Sequence, residues 1–157
     1  MKKAQTRRSD CPINFSLEMV GDSWSLLIIR DIVYFGKKTY GEFVTSRESI
    51  ARNILADRLL KLEQKGVLIK NPHPKDGRKD VYQLTEKGLA LIPLLLDMAD
   101  WGFTYDKQTD APASWIQLVR TNREEMLKLI YQAVRNGDAI FVGENNVISK
   151  LKDNKLN

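Results

Sequence analysis

Apolar residues recur at helical spacing through the first part of the chain, and the spacing changes near Gly66. Ile13, Leu17 and Val20 share one face of a helix that opens at Pro12, a favoured first-turn residue, with Cys11 in the preceding cap position. Gly21 stops it. Asp22 or Ser23 can cap the next helix, whose run Trp24, Leu26, Leu27, Ile28, Ile29, Ile32 and Val33 is too continuous for a surface position and predicts a central one ending at Gly36. Thr39 followed by Glu42 is a capping-box pattern, which predicts a short helix with Tyr40, Phe43 and Val44 as its apolar contacts. From Ile50 to Lys65 there is neither Gly nor Pro, and Ala51, Leu55, Leu59 and Leu62 fall on one face until Gly66 ends the helix.

Beyond Gly66 the pattern shortens. The β-prone runs Val67 to Lys70 and Val81 to Leu84 flank a polar stretch containing Asp76-Gly77, which predicts a hairpin with an extended tip. Thr85 caps a long helix from Glu86 towards Tyr105, apolar on nearly every side and kinked at Pro93. Such a helix needs cover from more than one direction, and a second copy of the chain would supply it, with Leu95, Met98 and Trp101 at the interface. Asp110-Ala111-Pro112-Ala113 then reads as a turn. Trp115 to Val134 holds one or two amphipathic helices with Val119, Met126, Leu127, Ile130 and Val134 as the buried stripe. Asn136-Gly137-Asp138 breaks it, Ala139 to Val142 is a candidate strand, and the tail from Ser149 is expected to be loose. The expected fold is mainly α with a small β-hairpin wing, a winged helix-turn-helix of the α+β class.

Length and composition narrow the functional classes. At 157 residues, 43% hydrophobic and 29% charged, the chain suits one ordinary globular domain. The apolar stretch Leu89 to Leu96 is interrupted by Pro93 and is too short to span a bilayer, and Lys2, Lys3, Arg7 and Arg8 are not followed by an apolar signal segment, so a cytoplasmic protein is expected. One Cys and one His argue against a disulfide within the chain, a structural zinc site or a nucleophilic triad; no cofactor and no enzymatic activity are expected.

The net charge of +5 is concentrated: Lys37 to Lys87 holds twelve basic and seven acidic residues. With the element order, this points to double-stranded DNA as the partner; the alternative is a protein-interaction module that binds an acidic partner. With Leu55 facing inward on the helix from Ile50, Asn53, Ala56 and Asp57 point outward and Arg52 and Arg58 flank them. Arg and Asn match the edges of guanine and adenine, and a helix N-terminus attracts phosphate. Ala51 belongs to the same leading turn, and Asp57 is expected to pair with Lys61 one turn later. Lys38, Thr39 and Tyr40, with Lys75, Arg78 and Lys79 at the hairpin tip, are candidate contacts to the DNA backbone. Trp24, Trp101 and Tyr82 read as core or interface aromatics, and His73 as a solvated loop residue. Cys11, at a helix N-cap close to four basic residues, is a candidate redox sensor because both features favour its thiolate.

Cys11-Pro12, the run Gly21-Asp22-Ser23-Trp24-Ser25-Leu26-Leu27-Ile28-Ile29-Arg30-Asp31, the run Ile50-Ala51-Arg52-Asn53-Ile54-Leu55-Ala56-Asp57-Arg58-Leu59, Leu62-Glu63, Gly66, Tyr82-Gln83-Leu84-Thr85-Glu86-Lys87-Gly88 and Trp101-Gly102 occur in that order. Together they resemble the HxlR-type winged helix-turn-helix transcriptional regulators. The resemblance implies a homodimer on a roughly palindromic operator, a response to a small molecule or to oxidative or electrophilic stress, and dimerisation through terminal helices. It implies that the helix from Ile50 to Lys65 enters the major groove and that the wing between Ile69 and Val81 contacts the flanks. Ser23 departs from the family pattern, where a basic residue or glycine often precedes the Trp, and the region after Tyr105 extends past the shared part. The expected organisation is a basic arm over residues 1–10, a DNA-binding domain with dimerisation helices over 11–105, and a C-terminal helical extension over 106–157.

Overall fold

The computed structural model describes residues 8–154. The basic residues Lys2, Lys3 and Arg7, which contributed to the reading of Cys11, lie outside them. The elements run α1 (Pro12–Val20), α2 (Ser25–Phe35), α3 (Tyr40–Val44), α4 (Arg52–Gln64), β1 (Leu68–His73), β2 (Asp76–Leu84), α5 (Glu86–Leu89), α6 (Ile92–Tyr105), α7 (Ala113–Thr121), α8 (Arg123–Arg135) and α9 (Val147–Asn154). This is a mainly helical winged helix-turn-helix with a two-stranded antiparallel wing.

Helix α2 lies at the centre. Ile28, Ile29, Ile32 and Val33 are buried, as expected of a helix apolar over most of its circumference. Its start is set by Asp22, whose Oδ1 accepts from the N–H groups of Trp24 and Ser25, both at 2.9 Å. Its end is set by Gly36 in the left-handed conformation, φ 65°, which lets the Gly36 and Lys37 N–H groups turn back to the carbonyls of Ile32 and Asp31. Two further carbonyls at that end, of Val33 and Tyr34, accept from the N–H groups of Ile140 and Phe141 at 3.0 and 3.1 Å. The stretch from Ala139 to Val142 is therefore not a strand; it serves as a backbone cap on α2.

Two other expectations change. The helix expected from Glu86 to Tyr105 is divided at Ala90-Leu91, with Pro93 in the first turn of α6. Proline has no N–H for the carbonyl of Leu89 and its ring would crowd that carbonyl, so it starts a new helix rather than bending an old one. The chain from Ser149 is helical as far as Asn154, continuing α9, and the rest of the expected loose tail lies outside the described residues. Ile13 and Leu17 share a face of α1, but only Val20 of that trio is buried within the protomer.

The wing is longer than the two apolar runs suggested. Its ladder extends from Leu68 opposite Leu84 to Pro72 opposite Asp80, then shifts so that His73 faces Asp76. The reversal occurs at Pro74-Lys75, not at Asp76-Gly77. Proline presets the backbone at the second position of a turn, and His73 Nδ1 accepts from the N–H groups of Lys75 and Asp76, both at 3.1 Å. His73 thus holds the tip together. The base of the wing is tied to the α2–α3 connection by the Tyr82 N–H to Lys38 carbonyl bond of 2.7 Å.

The extension after Tyr105 packs into the same core as α2 and α6, contributing Trp115, Ile116, Val119, Met126, Ile130, Ala133, Ile140 and Val147. Leu127 and Val134, expected in the buried stripe, are only partly covered, and Ala133 takes the deeper position.

Candidate nucleic-acid interface

The turn before α4 is built around buried Asp31. Its carboxylate accepts from Lys37 Nζ at 3.0 Å, from the Arg30 guanidinium and from the Ser46 hydroxyl, so an acid on the inner face of an apolar helix is matched by cations and a hydrogen bond. Arg30 also grips Glu48 through both terminal nitrogens, at 2.6 and 2.9 Å. This pair holds the Glu48 carboxyl down at about 2 and pushes the Arg30 guanidinium further up. The network fastens the α3–α4 turn to α2 and fixes where α4 begins. An Asp within the α2 apolar run was its only trace in the sequence.

At α3 the expected capping box is present: Thr39 Oγ1 accepts from the Glu42 N–H while Glu42 Oε2 accepts from the N–H groups of Thr39 and Lys38, at 2.7 and 2.8 Å. The Thr39 side chain is engaged there. The Tyr40 hydroxyl donates to the Arg52 carbonyl at 2.9 Å and locks α3 against the first turn of α4.

Helix α4 starts at Arg52, with Ala51 as an exposed N-cap rather than a member of the buried face. Leu55, Leu59 and Leu62 form that face, and Ile50 is buried just ahead of the helix. Ala51 offers no side-chain acceptor to the leading N–H groups, and Arg52, Asn53 and Ala56 are exposed beside them. Asp57 pairs with Lys61 at 2.8 Å, as expected. Arg58 does not share the outward face. Its side chain is half-buried and its Nε fully buried, 3.6 Å from Asp22 Oδ1, where it braces α4 against the α1–α2 junction. Three positions after Leu55 and one before Leu59, it falls on the flank turned to that junction.

At the wing tip the register shift leaves residues 77–79 without cross-strand partners, so they bulge outward. Arg78 and Lys79 lie 3.1 and 3.4 Å from Asp76, in exposed pairs that phosphate can replace at little cost. Lys75 is exposed beside them. Other basic residues of the central region are spent internally: Lys65 Nζ donates to the carbonyls of Glu18 and Met19, capping α1, and Lys87 Nζ donates to the Lys65 carbonyl. Of the exposed cations in the central region, Arg52 lies on the leading turn of α4 and Lys70, Lys75, Arg78 and Lys79 lie on the wing.

Residues 19–110, which contain this surface, match the HxlR-like helix-turn-helix family. The chain belongs to that family. This HxlR-like protein is 32% identical over 100 residues to the HTH-type transcriptional regulator YdeP of Bacillus subtilis, covering 64% of the chain and 77% of YdeP. Among solved structures it is similar to PA1607, at TM-score 0.61 and 38% identity over 69% of this chain and 75% of that one. It is also similar to the redox regulator HypR in its oxidized form, at TM-score 0.55 and 31% identity. That alignment takes in 99% of HypR but 62% of this HxlR-like chain. The kinship favours DNA over an acidic protein as the partner of the chain.

Of the residues expected at a dimer interface, Met98 and Trp101 are 49% and 69% exposed, whereas Leu95 is buried within its own protomer. Leu94 and Tyr105 complete an apolar stripe along α6 at helical spacing. Cys11 is exposed at the α1 N-cap, and Arg8 beside it pairs with Glu18 at 3.2 Å. Among the described residues, no helix is long and apolar enough to cross a membrane.

Proposed function

We propose that the chain is a homodimeric, sequence-specific DNA-binding regulator of transcription, in which α4 reads the major groove and the wing tip grips the flanking backbone. The observation that carries this reading is the leading turn of α4, where Arg52 and Asn53 are exposed beside N–H groups that no side chain caps. Arg52, Asn53 and Ala56 are placed nearest the bases. Asp57 and Lys61 lie behind them, Tyr40 and Thr39 hold the approach, and Lys38, Lys75, Arg78 and Lys79 answer phosphates. Ala51 belongs to the phosphate-binding turn, and Arg58 is a brace.

The exposed stripe of α6 through Leu94, Met98, Trp101 and Tyr105 supports a symmetric dimer, since a second copy can cover it. Two leading turns related by that symmetry would meet half-sites ~10 bp apart or a multiple of that spacing. The redox response named for HypR extends to this chain through Cys11, exposed at a helix N-terminus. With a single Cys per chain, the sulfur chemistry available to it is an adduct, a sulfenic acid or a bridge to the same residue of the second copy.

Selection from random duplexes, followed by competition titrations, tests the reading. Arg52→Ala and Asn53→Ala are expected to lose ~1–3 kcal/mol of discrimination at one base pair each. Lys79→Ala weakens all duplexes about equally. Identical sequence preferences in wild type and all variants refute the assignment. Oxidant treatment is expected to weaken operator binding by the wild type and to spare Cys11→Ser; equal loss in both removes the sulfur from the mechanism.

A further inference from the structure

A cleft of about 1080 Å³ lies between the helix-turn-helix and the C-terminal extension, walled by α2, the α3–α4 turn, α6, the loop over residues 106–112, and α7. We propose that this cleft binds an uncharged aromatic molecule carrying a carbonyl oxygen, and that its occupancy alters the affinity for DNA. The coupling to DNA rests on the function proposed above; the binding does not.

The lining supplies the class of ligand. Tyr34, Phe35, Trp115 and Phe141 form an aromatic cluster on one side, with Tyr34 to Phe141 at 5.8 Å, Phe35 to Phe141 at 6.4 Å and Trp115 to Phe141 at 5.4 Å between ring centres. A flat ring can pack against the open side of this cluster at an offset or edge-on angle. The Tyr34 hydroxyl and the Trp115 indole N–H face each other within this cluster, both buried and without a well-formed hydrogen bond. A small ring movement would let an acceptor oxygen meet both donors, whereas a hydrocarbon would leave them unmatched. Burial pushes the Tyr34 hydroxyl up to about 12, so it remains a donor throughout the neutral range.

Charge disfavours an anion. Every cation in the wall already has a carboxylate: Arg30 has Asp31 and Glu48, Lys37 has Asp31, and Arg47 has Asp110. Asp106 adds a carboxylate whose Oδ1 accepts from the Gln108 N–H. The Arg47–Asp110 pair joins two opposite walls, the turn and the extension loop. The clasp narrows the mouth between those walls, which suits a small flat molecule better than a helix of a second copy. Glu48 and Arg47 belong to the turn that leads into α4, so a ligand that shifts either pair shifts the recognition helix.

Calorimetric titration of the full chain, free of DNA, tests the site with acetophenone, coumarin, benzophenone and 2-acetylnaphthalene. Matched probes are 2-isopropylnaphthalene, which lacks the oxygen, and the anion 2-naphthoate. At least one ketone or lactone is expected to bind, and 2-acetylnaphthalene about fivefold more tightly than either matched probe, the share of one buried hydrogen bond. Trp115→Phe, which keeps a ring and removes the N–H, reduces that preference. Ala111→Trp, which fills the cleft, abolishes binding while the melting curve shows a folded chain. Equal binding of the oxygen-free probe overturns the ligand class. Undiminished binding by Ala111→Trp, or no binding by any carbonyl probe, overturns the site. So does loss of self-association in Ala111→Trp, which assigns the cleft to a second copy. The same ligand is then added to a duplex titration: a change in affinity is expected, and ligand binding with unchanged duplex affinity overturns the coupling. Failure to bind any duplex leaves the calorimetric result standing and counts against the DNA reading alone.

Discussion

Replacing Gly88 by alanine is a sharp test of how the wing is docked. In the interior of a helix the change ordinarily stabilises by ~0.5–1 kcal/mol, because glycine loses more backbone freedom on folding. Here the added Cβ would lie 2.3 Å from the Val67 carbonyl oxygen and 2.9 Å from Leu84 Cδ2. The carbonyl cannot retreat freely, since it accepts from the Thr85 N–H at 3.1 Å at the point where β2 passes into α5. Separating α5 from the wing base has the cost of overpacking a core, ~1–3 kcal/mol, which outweighs the helical gain. The net loss is ~0.5–2 kcal/mol, and for a chain of this size each kcal/mol moves the melting temperature by about 2–4 °C, so Gly88→Ala is expected to melt about 1–8 °C below wild type. Gly41→Ala is the control: it lies in α3 with nothing within 4 Å of its added Cβ, and is expected to melt at or slightly above wild type. Thermal and urea unfolding at one fixed protein concentration measure both, because the stability of the proposed dimer would depend on concentration. A Gly88→Ala protein as stable as wild type would show that α5 is not clamped against the wing.

The Glu48 carboxyl falls from 4.5 to about 2 because of its hydrogen bonds to Arg30, so its contribution to stability is complete above about pH 4.5 and fades as the pH drops towards 2. Unfolding measured across that window should fall less steeply for Glu48→Gln than for wild type; parallel curves would place the Arg30 contact outside the stability balance. Trp101→Glu puts a charge on the exposed stripe of α6 and is expected to turn a dimer into a folded monomer in light scattering, whereas an unchanged mass would locate the interface elsewhere. Ile130→Ala removes a fully buried side chain of α8 and should cost about 2–5 kcal/mol in one cooperative transition shared with the wing and α4. A separate early transition confined to the extension would mean that residues 106–154 fold as their own unit.

Local chemistry was legible in the sequence wherever a short pattern decides the structure. The capping box of Thr39 and Glu42, the Pro12 and Gly36 boundaries of α1 and α2, the buried faces of α2 and α4 and the Asp57–Lys61 pair all depend on neighbours within a turn or two. The hairpin failed at its tip because two turn signals compete there: the proline geometry and the His73 acceptor outweigh Asp-Gly, a balance that becomes visible only when His73 is seen reaching over Pro74.

What the tertiary structure decided involves partners distant along the chain. Helical periodicity places Arg58 on a flank but does not say that Asp22 waits there; it shows Leu95 as apolar but not which side of α6 its own extension covers. Likewise, Ala139 to Val142 has strand-like residues, yet its N–H groups go to the end of α2 because those carbonyls have no other partner in the helix. One chain therefore determines its turns, caps and apolar faces through contacts between near neighbours. The cleft behind the α3–α4 turn exists only because residues more than sixty positions apart, such as Arg47 and Asp110, are brought together.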